Sequence, residues 1–240
     1  MFNFFRKARR SAKPASLRRH LNVNCLETRE VPSTVELVGG NLMIQGNKLN
    51  NSISVDTDAS NQVAIVYVDR IALGKFALKD VQSVQINGLG GNDKIVVSEL
   101  IKLPTLINGG EGDDAMVAGS GPAILVGGAG NDALFGGVGR DILIGGDGSD
   151  SLKGGEGDDI LIGGRFRFEN STEVLFTMQK TWNSDADYSK RVDALRYGMD
   201  VISVYYDGNV DYLEGGVGRD WFFAGPNTKI MDLGKTELVN

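Results

Sequence analysis

Asp114, Asp132, Asp141, Asp150 and Asp159 stand nine or eighteen residues apart, and each follows glycines five, four and two places earlier. Carboxylates at a fixed interval, beside turn carbonyls left unpaired, supply the oxygen ligands that a hard divalent cation takes. Catalytic alternatives lack their parts. The single histidine, His20, lies in a basic leader, so neither an HExxH metal site nor a Ser-His-Asp set is available in the body, and no GxSxG occurs.

The aspartates belong to a repeat. From Gly109 the chain reads GGEGDDAMV, AGSGPAILV, GGAGNDALF, GGVGRDILI, GGDGSDSLK and GGEGDDILI, and closes on Gly163-Gly164. Glycine permits a tightly turning, left-handed backbone that other residues resist. The three residues after the aspartate alternate out, in, out like a short strand, so one nonapeptide makes one turn and one strand. A flexible linker or a solvated acidic surface would explain the composition. Neither predicts Met116, Leu125, Leu134, Leu143, Leu152 and Leu161 at the eighth place of every copy.

This GGxGxDxUx pattern resembles the repeats-in-toxin, or haemolysin-type calcium-binding, family. The resemblance implies a mainly β protein, a right-handed parallel β-roll (a β-helix or solenoid), in which two nonapeptides make one coil with turns on opposite edges. It also implies about five calcium ions between same-edge turns one coil apart, held by place-six aspartates and glycine carbonyls. The first edge would carry Asp93, Asp114, Asp132, Asp150 and Asp211, and the second Asp141, Asp159 and Asp220. The glycines of these turns are Gly109, Gly110, Gly112, Gly127, Gly128, Gly130, Gly136, Gly137, Gly139, Gly145, Gly146, Gly148, Gly154, Gly155, Gly157, Gly215, Gly216 and Gly218. Ala123 replaces an expected aspartate and leaves the second edge one ligand short.

The chain divides into a leader (1–33), an irregular β-helical start (34–108), the repeat block (109–164), a helical insertion (165–210), and a last coil with its cap (211–240). In the start, GLGGNDKI around Asp93 is one further copy, and GNKLNNSISV is a worn copy with Asn51 in the aspartate's place. Residues 63–68 and 81–86 read as strands. The repeat resumes at Asp211 and in GGVGRDWFF, residues 215–223, so the insertion splits one turn open, and residues 230–233 read as the closing cap. Inside the insertion, Ser171 or Thr172 can cap a helix over 173–182, and Ser184 a second over 186–197 that ends at Gly198.

Outward strand positions differ between the two sheets. One set, Ala115, Val117, Ala133, Phe135, Ser151, Lys153, Tyr212 and Glu214, is mixed; the other, Ile124, Val126, Ile142, Ile144, Ile160, Ile162, Trp221 and Phe223, is wholly apolar. An apolar strip of that size marks an interface. The insertion, with Val174, Leu175, Met178, Trp182, Val192 and Leu195 at helical spacing, is expected to cover it, and any uncovered part to serve as a partner or dimer contact.

The first 20 residues hold seven basic residues and no acid; the whole chain nets −6, so the remainder sums to −13. A basic arm can contact nucleic acid or an anionic membrane. Here it precedes LETREVPS, residues 26–33, which resembles an export-related segment near the start of secreted proteins of budding bacteria and points away from nucleic acid. No apolar core of a conventional signal peptide occurs, and no stretch is long enough to span a membrane. Cys25, the only cysteine, leaves the body without disulfides. The expected protein is therefore secreted or on the cell surface, calcium-binding and non-enzymatic. It would act in structure or adhesion-like interaction with a surface polysaccharide or protein. The alternatives are a lyase- or epimerase-type enzyme acting on polysaccharide and a calcium-dependent folding or export module.

Overall fold

A computed structural model describes residues 33–198, 204–234 and 237–240. The leader, with Cys25, His20 and almost all of the export-like segment, lies outside the described residues.

The described chain opens with hairpins. β1 (Thr34–Val38) and β2 (Asn41–Gln45) pair antiparallel across Gly39 and Gly40, while β3 (Ser52–Thr57), β4 (Val63–Val68) and β5 (Ile71–Ala77) form an antiparallel meander. The expected β-helical start is replaced here in part. Gly39 and Gly40 (φ 57° and 85°), like Asp69 and Arg70 (φ 50° and 67°), are left-handed pairs that reverse the chain before a coil can be completed.

From β6 (Ser83–Gly90) onward the chain coils. β7 (Lys94–Val97), β8 (Thr105–Glu111), β9 (Ala115–Val117), β10 (Ala123–Ala129), β11 (Ala133–Val138), β12 (Ile142–Asp147), β13 (Ser151–Glu156) and β14 (Ile160–Ile162) fall alternately in two sheets. β15 (Arg165–Phe166) then leads into α1 (Thr172–Trp182) and α2 (Tyr188–Gly198), and β16 (Val204–Tyr205) returns antiparallel to β15. β17 (Tyr212–Val217), β18 (Trp221–Phe223), β19 (Lys229–Ile230) and β20 (Leu238–Val239) complete the roll. The first sheet runs β1-β2-β6-β8-β10-β12-β14-β18-β20, the second β19-β17-β13-β11-β9-β7-β3-β4-β5. Successive coils pair in parallel and in repeat register, Leu125 beside Leu143 and Leu134 beside Leu152. The protein is a parallel β-roll carrying a two-helix insertion.

Place-eight residues face each other between the sheets, where Met116, Leu125, Leu134, Leu143, Leu152, Leu161, Leu213 and Phe222 form one buried core. The turns permit this stacking only with glycine: Gly128 and Gly130 take φ of 113° and 135° and lie against the Gly110 and Gly112 carbonyls of the preceding coil.

The outer faces are unlike. Lys153 and Glu214 pair at 2.7 Å on the water-facing second sheet, whereas the apolar strip of the first sheet forms a second core with Leu175, Met178, Trp182, Tyr188, Val192 and Leu195 of the helices. The Ser171 hydroxyl accepts from Val174 N (3.5 Å) and caps α1. Ser184 does not cap the second helix. Its hydroxyl donates to Thr181 O (2.8 Å), and α2 starts later, with Arg191 N donating to Asp187 O. The closing cap also exceeds residues 230–233, since β20 adds beside β18.

Candidate metal centre

Each place-six aspartate follows a left-handed glycine and precedes a strand, so its side chain folds back inside the turn. There the carboxylates stack. Along the first edge, Asp93 Oδ1 accepts from Asn51 N (2.7 Å), Asp114 from Asp93 N (2.7 Å), Asp132 from Asp114 N (2.7 Å), Asp150 from Asp132 N (2.8 Å) and Asp211 from Asp150 N (3.2 Å). Along the second, Asp141 accepts from Ala123 N (2.6 Å), Asp159 from Asp141 N (2.8 Å) and Asp220 from Asp159 N (2.8 Å). All eight aspartates are buried. The three extra residues between Asp93 and Asp114 therefore fall at the opposite edge and do not interrupt this ladder.

The other carboxylate oxygen has no such partner. Oδ2 of Asp93, Asp114, Asp132, Asp141, Asp150, Asp159 and Asp220 is buried without a hydrogen bond, while Asp211 Oδ2 takes the Thr228 hydroxyl at 3.4 Å. A buried polar atom left unpaired is costly. The place-one glycine of each turn shows where these atoms point: a Cβ on Gly109, Gly127, Gly136, Gly145 or Gly154 would collide both with the Oδ2 of its own turn and with a glycine carbonyl one coil further on. A carboxylate and a carbonyl oxygen facing one small space repel unless a proton or a cation lies between them. Among the described residues no three His, Cys, Asp or Glu side chains converge on one point. A cation held here must therefore take much of its coordination from backbone oxygens, as calcium does.

Charge agrees with this geometry. Burial raises Asp93, Asp132 and Asp220 to about 6 and Asp114, Asp141 and Asp150 to about 7. Asp159 is pushed to about 9 by burial and by the neighbouring carboxylates of Asp141 and Asp220. Burial also raises Asp211.

A second ladder escapes the nonapeptide pattern. At place five of the first edge, Asn50 Oδ1 accepts from Asn92 N (2.8 Å), Asn92 from Asp113 N (3.1 Å), Asp113 from Asn131 N (2.7 Å) and Asn131 from Ser149 N (2.9 Å). It runs opposite to the place-six ladder. Place five of the second edge holds Pro122, Arg140, Asp158 and Arg219 instead, and makes a single such rung, Asp158 Oδ1 accepting from Arg219 N (2.9 Å). Reading that place at a period of eighteen rather than nine separates the two edges.

The second edge is bonded by the insertion. Gln179 Nε2 donates to Pro122 O (2.9 Å), Asn183 Nδ2 to Arg140 O (3.1 Å), Trp182 Nε1 to Asp158 O (2.6 Å) and the Tyr188 hydroxyl to Asp220 O (3.1 Å), so that each successive turn lends a carbonyl, and Arg140 Nη1 donates in return to Ser184 O (2.9 Å). Arg191, 1% exposed, pairs with the Asp158 carboxylate and lies over the Trp182 ring at 4.7 Å. At the split turn the chain is rejoined: Gly163 packs on Asp211, and Asp207 takes the Gly148 N–H. At the last turn the Asp232 carboxylate accepts from Gly215 N (2.9 Å) and Gly216 N (2.7 Å).

A family model described as the RTX calcium-binding nonapeptide repeat matches the chain in four copies, over residues 106–125, 118–152, 135–167 and 205–227. The matches leave out most of the insertion and resume beyond it. They do not reach Asp93, which the structure adds to the first ladder. No curated protein and no solved structure matches the chain.

Proposed function

Since the chain carries RTX calcium-binding nonapeptide repeats, we infer that its two aspartate ladders are the calcium sites and that the ions close its fold. The observation that carries this is the set of seven buried Oδ2 atoms without a partner, each beside the place-one glycine of its turn. Asp114, Asp132, Asp150 and Asp211 on one edge and Asp141, Asp159 and Asp220 on the other give about five same-edge pairs, and Asp93 extends the first row by one. Bound calcium supplies the positive charge that cancels stacked carboxylates. The chain's own part is to hold two oxygens per turn in place, with each Oδ1 fixed by the N–H of the coil before.

The protein is proposed to work outside the cell as a structural or surface-interaction protein rather than an enzyme. In roughly 10 mM calcium, sites of about 10⁻⁴ to 10⁻³ M each add on the order of 1.4 to 2.7 kcal/mol, so five rival the net stability of a domain. In low calcium the same carboxylates oppose folding, which ties the folded state to the exterior. Support for a non-catalytic role comes from the aspartates, whose Oδ1 atoms are spent on backbone bonds, and from the place of the single histidine in the leader.

Circular dichroism tests this reading. Calcium should raise the β signal cooperatively and excess chelator should remove it, because metal binding here is folding free energy. Magnesium should substitute poorly, since it demands a tighter octahedron. A spectrum indifferent to chelator would sink the proposal.

A further inference from the structure

The outer face of the first sheet changes character part-way across. Two rows of side chains cross its strands in register: Glu36, Met43, Gln85, Leu106 and Ile124 in one, and Thr34, Gln45, Asn87, Asn108 and Val126 in the other. From Ile124 and Val126 onward the rows are apolar and lie beneath the helices. Before them they are mostly polar and uncovered, and the border between the two parts is a groove. A hollow of about 490 Å³, floored by Gln45, Gln85, Asn87 and Asn108, adjoins the start of α1. A second, of about 680 Å³, continues along the helix past Phe176 to Asn183 and shares Gln85 and Thr172 with the first. The eleven residues of α1 make a wall about 16 Å long.

We propose that this groove binds a neutral glycan chain, which rests on the calcium-bound interaction protein proposed above and names its partner. A side-chain amide donates and accepts at once, as paired sugar hydroxyls do, and adjacent rungs repeat about every 4.8 Å. Half-buried Phe176 offers the apolar surface on which the C–H side of a sugar ring packs. Each hollow has the size of a small-ligand site. Charge disfavours a polyanion: Glu36, Glu169 and Glu173 face a single Lys180, and Glu169 is occupied by Arg165 Nε (3.1 Å) and Phe166 N (2.9 Å). A peptide adding as a strand needs a free sheet edge, whereas β2 and β6 beneath the groove are paired on both sides.

The test is calorimetric titration of the calcium-loaded full chain with neutral gluco-, manno-, xylo- and galacto-hexasaccharides, beside polygalacturonate and an uncharged hexapeptide. At least one neutral hexasaccharide should bind with a dissociation constant below about 1 mM. Gln85→Leu with Asn87→Leu should weaken it at least tenfold, and Phe176→Ala should weaken it too, while the calcium midpoint of each variant stays unchanged. Those side chains lie outside both ladders, so an altered midpoint would indict the calcium reading and not the groove. Absence of binding to all four neutral sugars overturns the proposal. So does tighter binding of polygalacturonate or peptide that is lost in the same variants.

Discussion

The two edges of the roll carry the same carboxylate ladder and are held in different ways. On the first, the place-five residues Asn92, Asp113, Asn131 and Ser149 are exposed and bond only to their own stack. On the second, four successive turns each lend a carbonyl to the insertion, and a buried Arg191–Asp158 pair fastens the helices beside Asp159. Apart from the Asp207 carboxylate on Gly148 N at its split turn, the first edge thus relies on neighbouring coils and on the calcium proposed for it. The second has a protein template as well, and its turn spacing is set by groups on α1, the loop after it and α2. The same repeat can be made autonomous or scaffolded by what packs beside it.

Removing the template should give the largest effect. With residues 166–207 replaced by a short Gly/Ser linker, eight apolar side chains from Ile124 to Phe223 lose their cover, each worth about 1.5 to 3 kcal/mol when fully buried. The expected result is dye binding, self-association and a red shift of Trp221 emission. Calcium binding on the first edge should survive, except beside Asp150, where the Asp207 bond to Gly148 is lost. A monomer with unchanged Trp221 emission would show that the second edge needs no template.

Asp158→Ala breaks the same link at one point. It leaves the buried Arg191 guanidinium with the Trp182 and Ala186 carbonyls but no counter-charge, and Arg219 N without its acceptor, which costs about 3 to 5 kcal/mol. Thermal melts in calcium should record that loss. Asp113→Ala, at the corresponding place on the exposed edge, removes two solvent-exposed hydrogen bonds, from Asn131 N and Nδ2, and should cost about 1 kcal/mol. Equal losses would erase the distinction between the edges.

Acid probes both ladders together. Their carboxylates are raised in the folded state, to between about 6 and 9 where the values are resolved, mainly by burial. For a raised pKa, the contribution to metal-free stability is complete below the unfolded value near 4 and is lost as pH climbs through the folded value. The calcium-free protein should therefore be more stable at pH 5 than at pH 8. Calcium must displace those protons, so its midpoint should rise about tenfold or more as pH falls from 8 to 5.5. The highest pKa belongs to Asp159, so the second edge should lose its ions first, as seen by Trp182 emission. A midpoint that ignores pH would remove protons from the account.

The smallest effect concerns the gap beside Ala123. Its N–H already donates to Asp141, so the backbone of the ladder is in place. Ala118, however, stands where other copies have their place-one glycine, and its Cβ occupies the position against which the aspartates' Oδ2 atoms lie. Ala123→Asp alone should add no ion. Ala118→Gly with Ala123→Asp should add one by calcium titration, and an extra ion in the single variant would show that the cradle tolerates a methyl group.

Asp93 shows how far the nonapeptide could be followed by eye: its copy has Leu89 at a glycine place, yet the aspartate joins the ladder one coil before Asp114. Leu89 meets the turn's demand directly, with φ of 80°. The hairpins at Gly39-Gly40 and Asp69-Arg70 turn on local left-handed pairs, which the nonapeptide period does not encode. Ser184 misleads for another reason. Its hydroxyl has two helix ends within reach, and the choice of Thr181 O depends on how the interhelical loop folds.

Repeat, register, strand alternation and the apolar strip are written in the sequence itself, because each follows from residues a fixed number of places apart and parallel coils preserve that spacing. Which edge the helices would fasten was not. Gln179, Asn183, Trp182 and Tyr188 reach turns 24 to 57 residues away, and a bond to a backbone carbonyl leaves no signature in the identity of the residue that accepts it. Nor does periodicity tell that Arg191 is buried, since an arginine on a helix reads as solvent-facing until another element closes over it. Only the packed molecule sets those distances, and with them the difference between an edge held mainly by its ladder and an edge held also by the helices.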